Sequence, residues 1–259
     1  MKALPALFLL LLSLAFVSAE TMAPPAPSAA PSATGTPATP VEKPKPIYIE
    51  AGFFEIDSLK KILGTFPAPE SPESKADIDT LLKLQSARTP EQIARCASEV
   101  DLKLEAFAPI FGPWFDAKNL PITAALLKKA TNDAKFAFNA AKDSYARPRP
   151  PLIDNRIQPC IELPKSAAYP SGHTTIGVSW SLILAELAPD LRKELLARGN
   201  EIGKDREIAG VHYPTDVKAG RKLGHELVKR FLKNPEFQSD LAKAKLELTE
   251  ARHAAAAVK

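Results

Sequence analysis

The placement of proline limits what this chain can fold into. The sequence holds 25 Pro against 11 Gly, and prolines spread evenly through a domain would interrupt nearly every helix and central strand. They are segregated instead. Pro24, Pro25, Pro27, Pro31, Pro37, Pro40, Pro44 and Pro46 alternate with Ala, Ser and Thr over residues 20–47. That stretch cannot bury enough apolar surface to offset its ordering entropy, so it reads as an extended, flexible linker. Before it come Lys2, an apolar run from Leu7 to Val17, and the small residues Val17-Ser18-Ala19. This is the order of a secretory signal peptide cleaved after Ala19, and the run is well short of the ~20 residues that span a bilayer. Residues 48–259 are then expected to form one exported domain.

Lys+Arg 34 against Asp+Glu 30 leaves a net charge of +4. With no block of like charge, that balance is too mild for a nucleic-acid coat. Basic residues that matter should therefore act singly, at a site. Export would put Cys96 and Cys160 in an oxidising compartment, where a disulfide and two separate buried thiols are both open.

Within the domain the apolar spacing is that of helices. Thr89-Pro90-Glu91-Gln92 joins an N-cap, a first-position Pro and a capping-box Gln, and opens a segment with Ile93, Cys96, Ala97 and Val100 on one face. Ala130, Ala134, Phe138 and Ala141 repeat at helical spacing until Arg147-Pro148-Arg149-Pro150 ends the run. A third helix starts at Gly172 and carries Ile176, Trp180, Ile183 and Leu187. Asp190 is expected to cap a fourth, with Leu195 and Ile202. The last strong helix is expected to begin near Thr215, with the small residues Gly220 and Gly224 on its packing face, followed by a frayed, Ala-rich terminus. No run alternates with period two for long enough to make a strand, so the domain is expected to be all-α.

The chemistry-bearing residues fall where these helices start or stop. Lys142 precedes Arg149 by seven residues, Pro170-Ser171-Gly172-His173 opens the Trp180 helix, and Arg206 precedes His212 by six, with Asp216 four further on. Three cations, a hydroxyl and the first turn of a helix suit an oxyanion such as phosphate. Gly172 supplies free N–H groups at the positive end of the helix dipole, and Ser171 is expected to add a hydroxyl donor. Arg149 and Arg206 offer planar forks, and Lys142 a point charge. The two imidazoles allow a division of labour. His212, with its second nitrogen held by Asp216, is the expected nucleophile, and His173 the expected general acid. A histidine required as a cation predicts an acidic optimum.

These three segments resemble the class A bacterial nonspecific acid phosphatases, within the superfamily of type 2 phosphatidic acid phosphatases and vanadium haloperoxidases. The family pattern is Lys, six residues, Arg-Pro; Pro-Ser-Gly-His; and Ser-Arg, five residues, His, three residues, Asp. Lys142 with Arg149-Pro150, Pro170 to His173, and Arg206 with His212 and Asp216 meet it. Ala167-Ala168 stand where the longer signature has Gly-Ser, and Asp205 stands where the family has Ser, beside Arg206. The resemblance implies a helical bundle of the haloperoxidase type, periplasmic phosphomonoester hydrolysis with no metal or other cofactor, and homo-oligomers. It also implies alternatives: a vanadate-dependent haloperoxidase, or a soluble lipid phosphate or diphosphate phosphatase. A noncatalytic phosphate-binding protein would need neither both histidines nor an orienting aspartate.

Overall fold

A computed structural model describes residues 45–257 of the chain. The expected signal peptide and the linker up to residue 44 lie outside the described residues. Among those described, every regular element is helical, as expected, and no helix is long and apolar enough to cross a membrane.

The helices are α1 (Ile56–Leu63), α2 (Pro72–Ala87), α3 (Pro90–Ser98), α4 (Ala108–Phe111), α5 (Pro121–Tyr145), α6 (Pro150–Ile153), α7 (Gly172–Leu187), α8 (Arg192–Ile208), α9 (Pro214–Phe231) and α10 (Pro235–Ala257). Six of them, α2, α3, α5, α6, α9 and α10, begin with proline. At the first helical position the missing N–H is one that would lack an intrahelical partner anyway, and the fixed φ suits the helix. Six of the domain's prolines thus start helices, and others, such as Pro67, Pro159 and Pro170, lie in the connections. Thr89 forms the expected capping box of α3, accepting from Gln92 N at 3.3 Å while Gln92 Oε1 accepts from Thr89 N at 2.9 Å.

The central element is α7, buried along nearly its whole circumference, as expected of a helix apolar on all sides. It packs against α5, α8 and α9. Glycines make the close approaches. A Cβ on Gly199 of α8 would stand 2.3 Å from Ser181 Oγ, and one on Gly220 of α9 would stand 2.6 Å from the Ser171 carbonyl oxygen. Helix α10 covers α5, α1 lies against α5 and α9, and α3 lies against α8.

Three local expectations are corrected. Helix α3 ends at Ser98, so Val100 leaves its face and is exposed. Asp190 does not cap α8. It lies in a 3-10 turn and pairs with Arg252 of α10 at 2.6 and 3.0 Å, and Leu191 precedes α8 with no side-chain cap. The C-terminal segment is a 23-residue helix, not a frayed end. Phe237, Leu241, Ala244 and Leu248 form its inner face at helical spacing, and Asn234 Oδ1 accepts from Phe237 N at 2.9 Å at its start. Each large apolar side chain so buried contributes roughly 1.5–3 kcal/mol.

Candidate active site

Four chain segments meet at one cavity of about 340 Å³. Lys142, Arg149, Gly172, His173, Arg206 and His212 are all in its wall. Lys142 comes from the last turn of α5. Ala146 then takes a left-handed backbone with φ 48° and ends the helix, and Arg147-Pro148-Arg149 leads into α6. Gly172 and His173 open α7, Arg206 lies in the last turn of α8, and His212 is two residues before α9.

His212 is almost wholly buried. Its Nδ1 lies 3.2 Å from Asp216 Oδ2, which also accepts from the Tyr213 backbone N–H at 2.9 Å. A carboxylate can only accept, so the proton is on Nδ1 and the lone pair is on Nε2. Nε2 lies 3.0 Å from Arg149 Nη1, a donor that also binds the Val211 carbonyl at 2.9 Å. Burial, then the cations Arg149 and Lys142, push the imidazole well below its ordinary pKa. It is therefore neutral, with an unprotonated nitrogen among positive charges.

The other groups surround His212 with positive charge. Lys142 Nζ donates to the Ala167 carbonyl, and burial with the nearby Arg149 lowers its pKa to about 7. Arg149 Nε donates to the Ser166 carbonyl at 2.9 Å and Nη2 to Ser166 Oγ at 3.2 Å. Burial lowers Arg149 to about 10. Arg206 donates Nη2 to the Cys96 carbonyl and to Glu99 Oε2, each at 3.2 Å. Its buried Nε has no partner among the described residues, which leaves a donor for a ligand.

His173 Nε2 lies 3.1 Å from the Val100 carbonyl. Burial, then Arg206, lower this imidazole to about 4. The expected cationic acid is thus neutral in the free site above that pH, because its charge would add to those of Arg206, Arg149 and Lys142. Asp216, fully buried, is raised to about 6 by burial, with Arg147 and the Tyr213 N–H opposing.

Two expectations are corrected. Ser171 is the N-cap of α7: its Oγ accepts from Thr174 Oγ1 at 2.8 Å and from Thr174 N at 3.4 Å, and it does not line the cavity. Its contribution is to hold the turn that presents Gly172 and His173. Asp205 does not act on Arg206, because consecutive helical residues do not face each other. Its carboxylate is gripped by Arg95 Nε and Nη2, both at 2.7 Å, and Glu99 takes its place beside Arg206.

Arg147, expected only to help end α5, lies behind Asp216. Its Nη1 donates to Asp216 Oδ1 at 2.5 Å and to Thr215 Oγ1 at 2.8 Å, and Nη2 reaches Asp77 Oδ2 at 3.4 Å. The guanidinium lies 3.8 Å from the Tyr213 ring centroid. The available signal was an arginine beside a proline in a segment that already supplied a site cation. Both cysteines are free thiols, Cys96 buried and Cys160 partly so. Among the described residues, no group of three or more His, Cys, Asp or Glu could hold a metal ion.

Comparison with known proteins bears on the family of the chain. The PAP2 superfamily model matches residues 123–233, which include Lys142 and Asp216. The chain is 33% identical over 193 residues to a non-specific acid phosphatase of Salmonella typhimurium, covering 71% of this chain and 77% of that protein. It is 35% identical to one of Providencia stuartii, covering 63% and 69%. Among solved structures, a bacterial vanadium-dependent iodoperoxidase superposes with a TM-score of 0.51 at 17% identity, over 69% of this chain and 54% of that one. The chain spans about half the length of that structure, and the likeness concerns the fold alone. Similarity at 33% identity over most of both sequences shows that this chain belongs to the non-specific acid phosphatases of the PAP2 superfamily.

Proposed function

We propose that the protein is an exported acid phosphatase of broad specificity that hydrolyses phosphate monoesters through a phosphohistidine at His212. The observation that carries this reading is the His212 imidazole in the cavity wall, its Nδ1 held by Asp216 and its unprotonated Nε2 accepting from Arg149, with Lys142 and Arg206 lining the same cavity. The phosphoryl oxygens would lie against Lys142, Arg149, Arg206 and the N–H groups of Gly172 and His173. There the positive groups offset the charge that develops in transfer. The anion displaces Arg149 Nη1 from Nε2, which then attacks phosphorus in line as the ester P–O bond breaks.

The leaving oxygen takes its proton from His173. That residue is neutral in the free site, but a bound phosphate offsets the cations that hold its pKa down. A phosphate ester with a second pKa near ~6 can also bring the proton with it. Water then attacks the phosphohistidine and gives up a proton to His173. The P–N bond breaks, freeing phosphate and restoring His212. No step calls on a metal ion.

The direct test is phosphate release from p-nitrophenyl phosphate at pH 6, with and without chelator, by the whole protein and by His212→Ala. The expected result is chelator-resistant turnover that is lost in the variant, while the variant still binds phosphate. Undiminished hydrolysis by His212→Ala would overturn the assignment. For export, the expected N-terminus of the secreted protein is Glu20.

A further inference from the structure

The cavity extends beyond the phosphate cradle along one face of α5. Thr131, Lys135, Phe138 and Lys142 recur at intervals of four, three and four residues, which puts them on one side of the helix, and all four line the cavity. Phe138 lies against the start of α7, where a Cβ on Gly172 would stand 3.1 Å from its ring. Trp180 of α7 lines the same wall, its indole fixed by a 2.8 Å hydrogen bond from Nε1 to Thr131 Oγ1.

Four cations line the cavity, Lys135, Lys142, Arg149 and Arg206. Three of them converge on the phosphate position. Lys135 is the fourth: exposed, and with no ion pair or hydrogen bond among the described residues. With a rise of 1.5 Å per residue, its backbone lies about 10 Å from that of Lys142 along the helix axis. The face therefore presents a cation, an aromatic ring and a second cation in order.

We infer that the site favours aryl phosphate monoesters carrying a second negative group on the ring, with phosphate at Lys142, the ring against Phe138 and Trp180, and the distal anion at Lys135. This rests on the phosphatase reading and adds a substrate class to it. Glu162 lines the same cavity from the 161–164 loop and would repel a distal anion turned away from Lys135.

The test compares kcat/KM for 4-carboxyphenyl phosphate, p-nitrophenyl phosphate and glycerol 2-phosphate, using the whole protein, Lys135→Gln and Lys135→Glu. The two aryl esters differ only in the distal group. The carboxyphenyl-to-nitrophenyl ratio should fall about fivefold in Lys135→Gln, the range of an exposed ion pair, and further in Lys135→Glu, through KM. A ratio unmoved in both variants would overturn the anion subsite. In Phe138→Leu the nitrophenyl-to-glycerol ratio should fall, with Trp180→Leu as a second variant. An unchanged ratio in both would overturn the ring subsite. Failure of the unmodified protein to release phosphate from any of the three esters would instead count against the phosphatase reading.

Discussion

At the scale of single residues, the site sets its own pH window. In the proposed reaction Asp216 must be ionised to hold His212, and burial raises it to about 6; Lys142 must be charged to hold phosphate, and burial lowers it to about 7. Protonation below the first value and deprotonation above the second both cost activity, so kcat/KM should peak between about pH 6 and 7. Sulfate isolates the upper limb, since it stays a dianion throughout. Its inhibition should weaken by up to about tenfold per pH unit above 7, and a Ki flat from pH 6 to 9 would contradict the role of Lys142. Arg147 acts through Asp216. Arg147→Met leaves Asp77 and Asp216 without their shared partner, which should cost about 3–5 kcal/mol in urea unfolding. It should also move the acid limb of the pH profile upward, because Asp216 loses the cation that holds its pKa down. An unmoved limb would make Arg147 purely structural. That Lys142, Arg149, His173, Arg206 and His212 meet at one cavity, with Asp216 on His212, was legible in the sequence because each lies at or beside a helix end marked by local proline or glycine signals. Arg147 and Glu99 were not, since their partners Asp77 and Arg206 lie 70 and 107 residues away, and no spacing rule carries such a contact.

At the scale of elements, starts were easier to read than faces or ends. Thr89 caps α3 and α9 opens at Pro214, one residue before the expected start, because cap and proline chemistry is local; Pro150, expected only to end a run, also opens α6. Helix α10 was missed because its apolar positions are few and set among charges, so its burial depends on α5 being there to receive it. The small residues of α9 were legible as a packing face, and Gly220 shows what they permit. Gly220→Ala would push a methyl toward the Ser171 carbonyl and the Thr174 side chain. Unfolding free energy should fall by roughly 1–3 kcal/mol. Activity should fall with it, because the displaced turn presents Gly172 and His173. A variant of unchanged stability and rate would show that α7 and α9 tolerate a wider separation.

At the scale of the whole molecule, α5 joins the segment Ile47-Tyr48-Ile49 to the site. One end of that helix delivers Lys142, while Asp133 near its middle accepts the N–H groups of Ile47, Tyr48 and Ile49 at 2.8, 2.8 and 3.0 Å. Two buried donors, the N–H groups of Tyr48 and Ile49, and the part-buried one of Ile47 meet on one carboxylate, so Asp133→Ala should cost roughly 1–3 kcal/mol for each buried group left unpaired. A Tm within a degree of the unmodified protein would contradict that anchoring. Helices α7, α8 and α9, packed through glycine, hold Gly172, His173, Arg206 and His212 around the same cavity, and Arg149 joins them from the start of α6. The central claim is that His212 becomes the phosphate carrier. Rapid quenching into alkali during turnover of p-nitrophenyl phosphate, followed by peptide mapping, tests it most directly. Covalent phosphate is predicted on His212 and absent from His212→Ala; phosphate on another residue, or no phosphoenzyme at any time in the turnover, would contradict it.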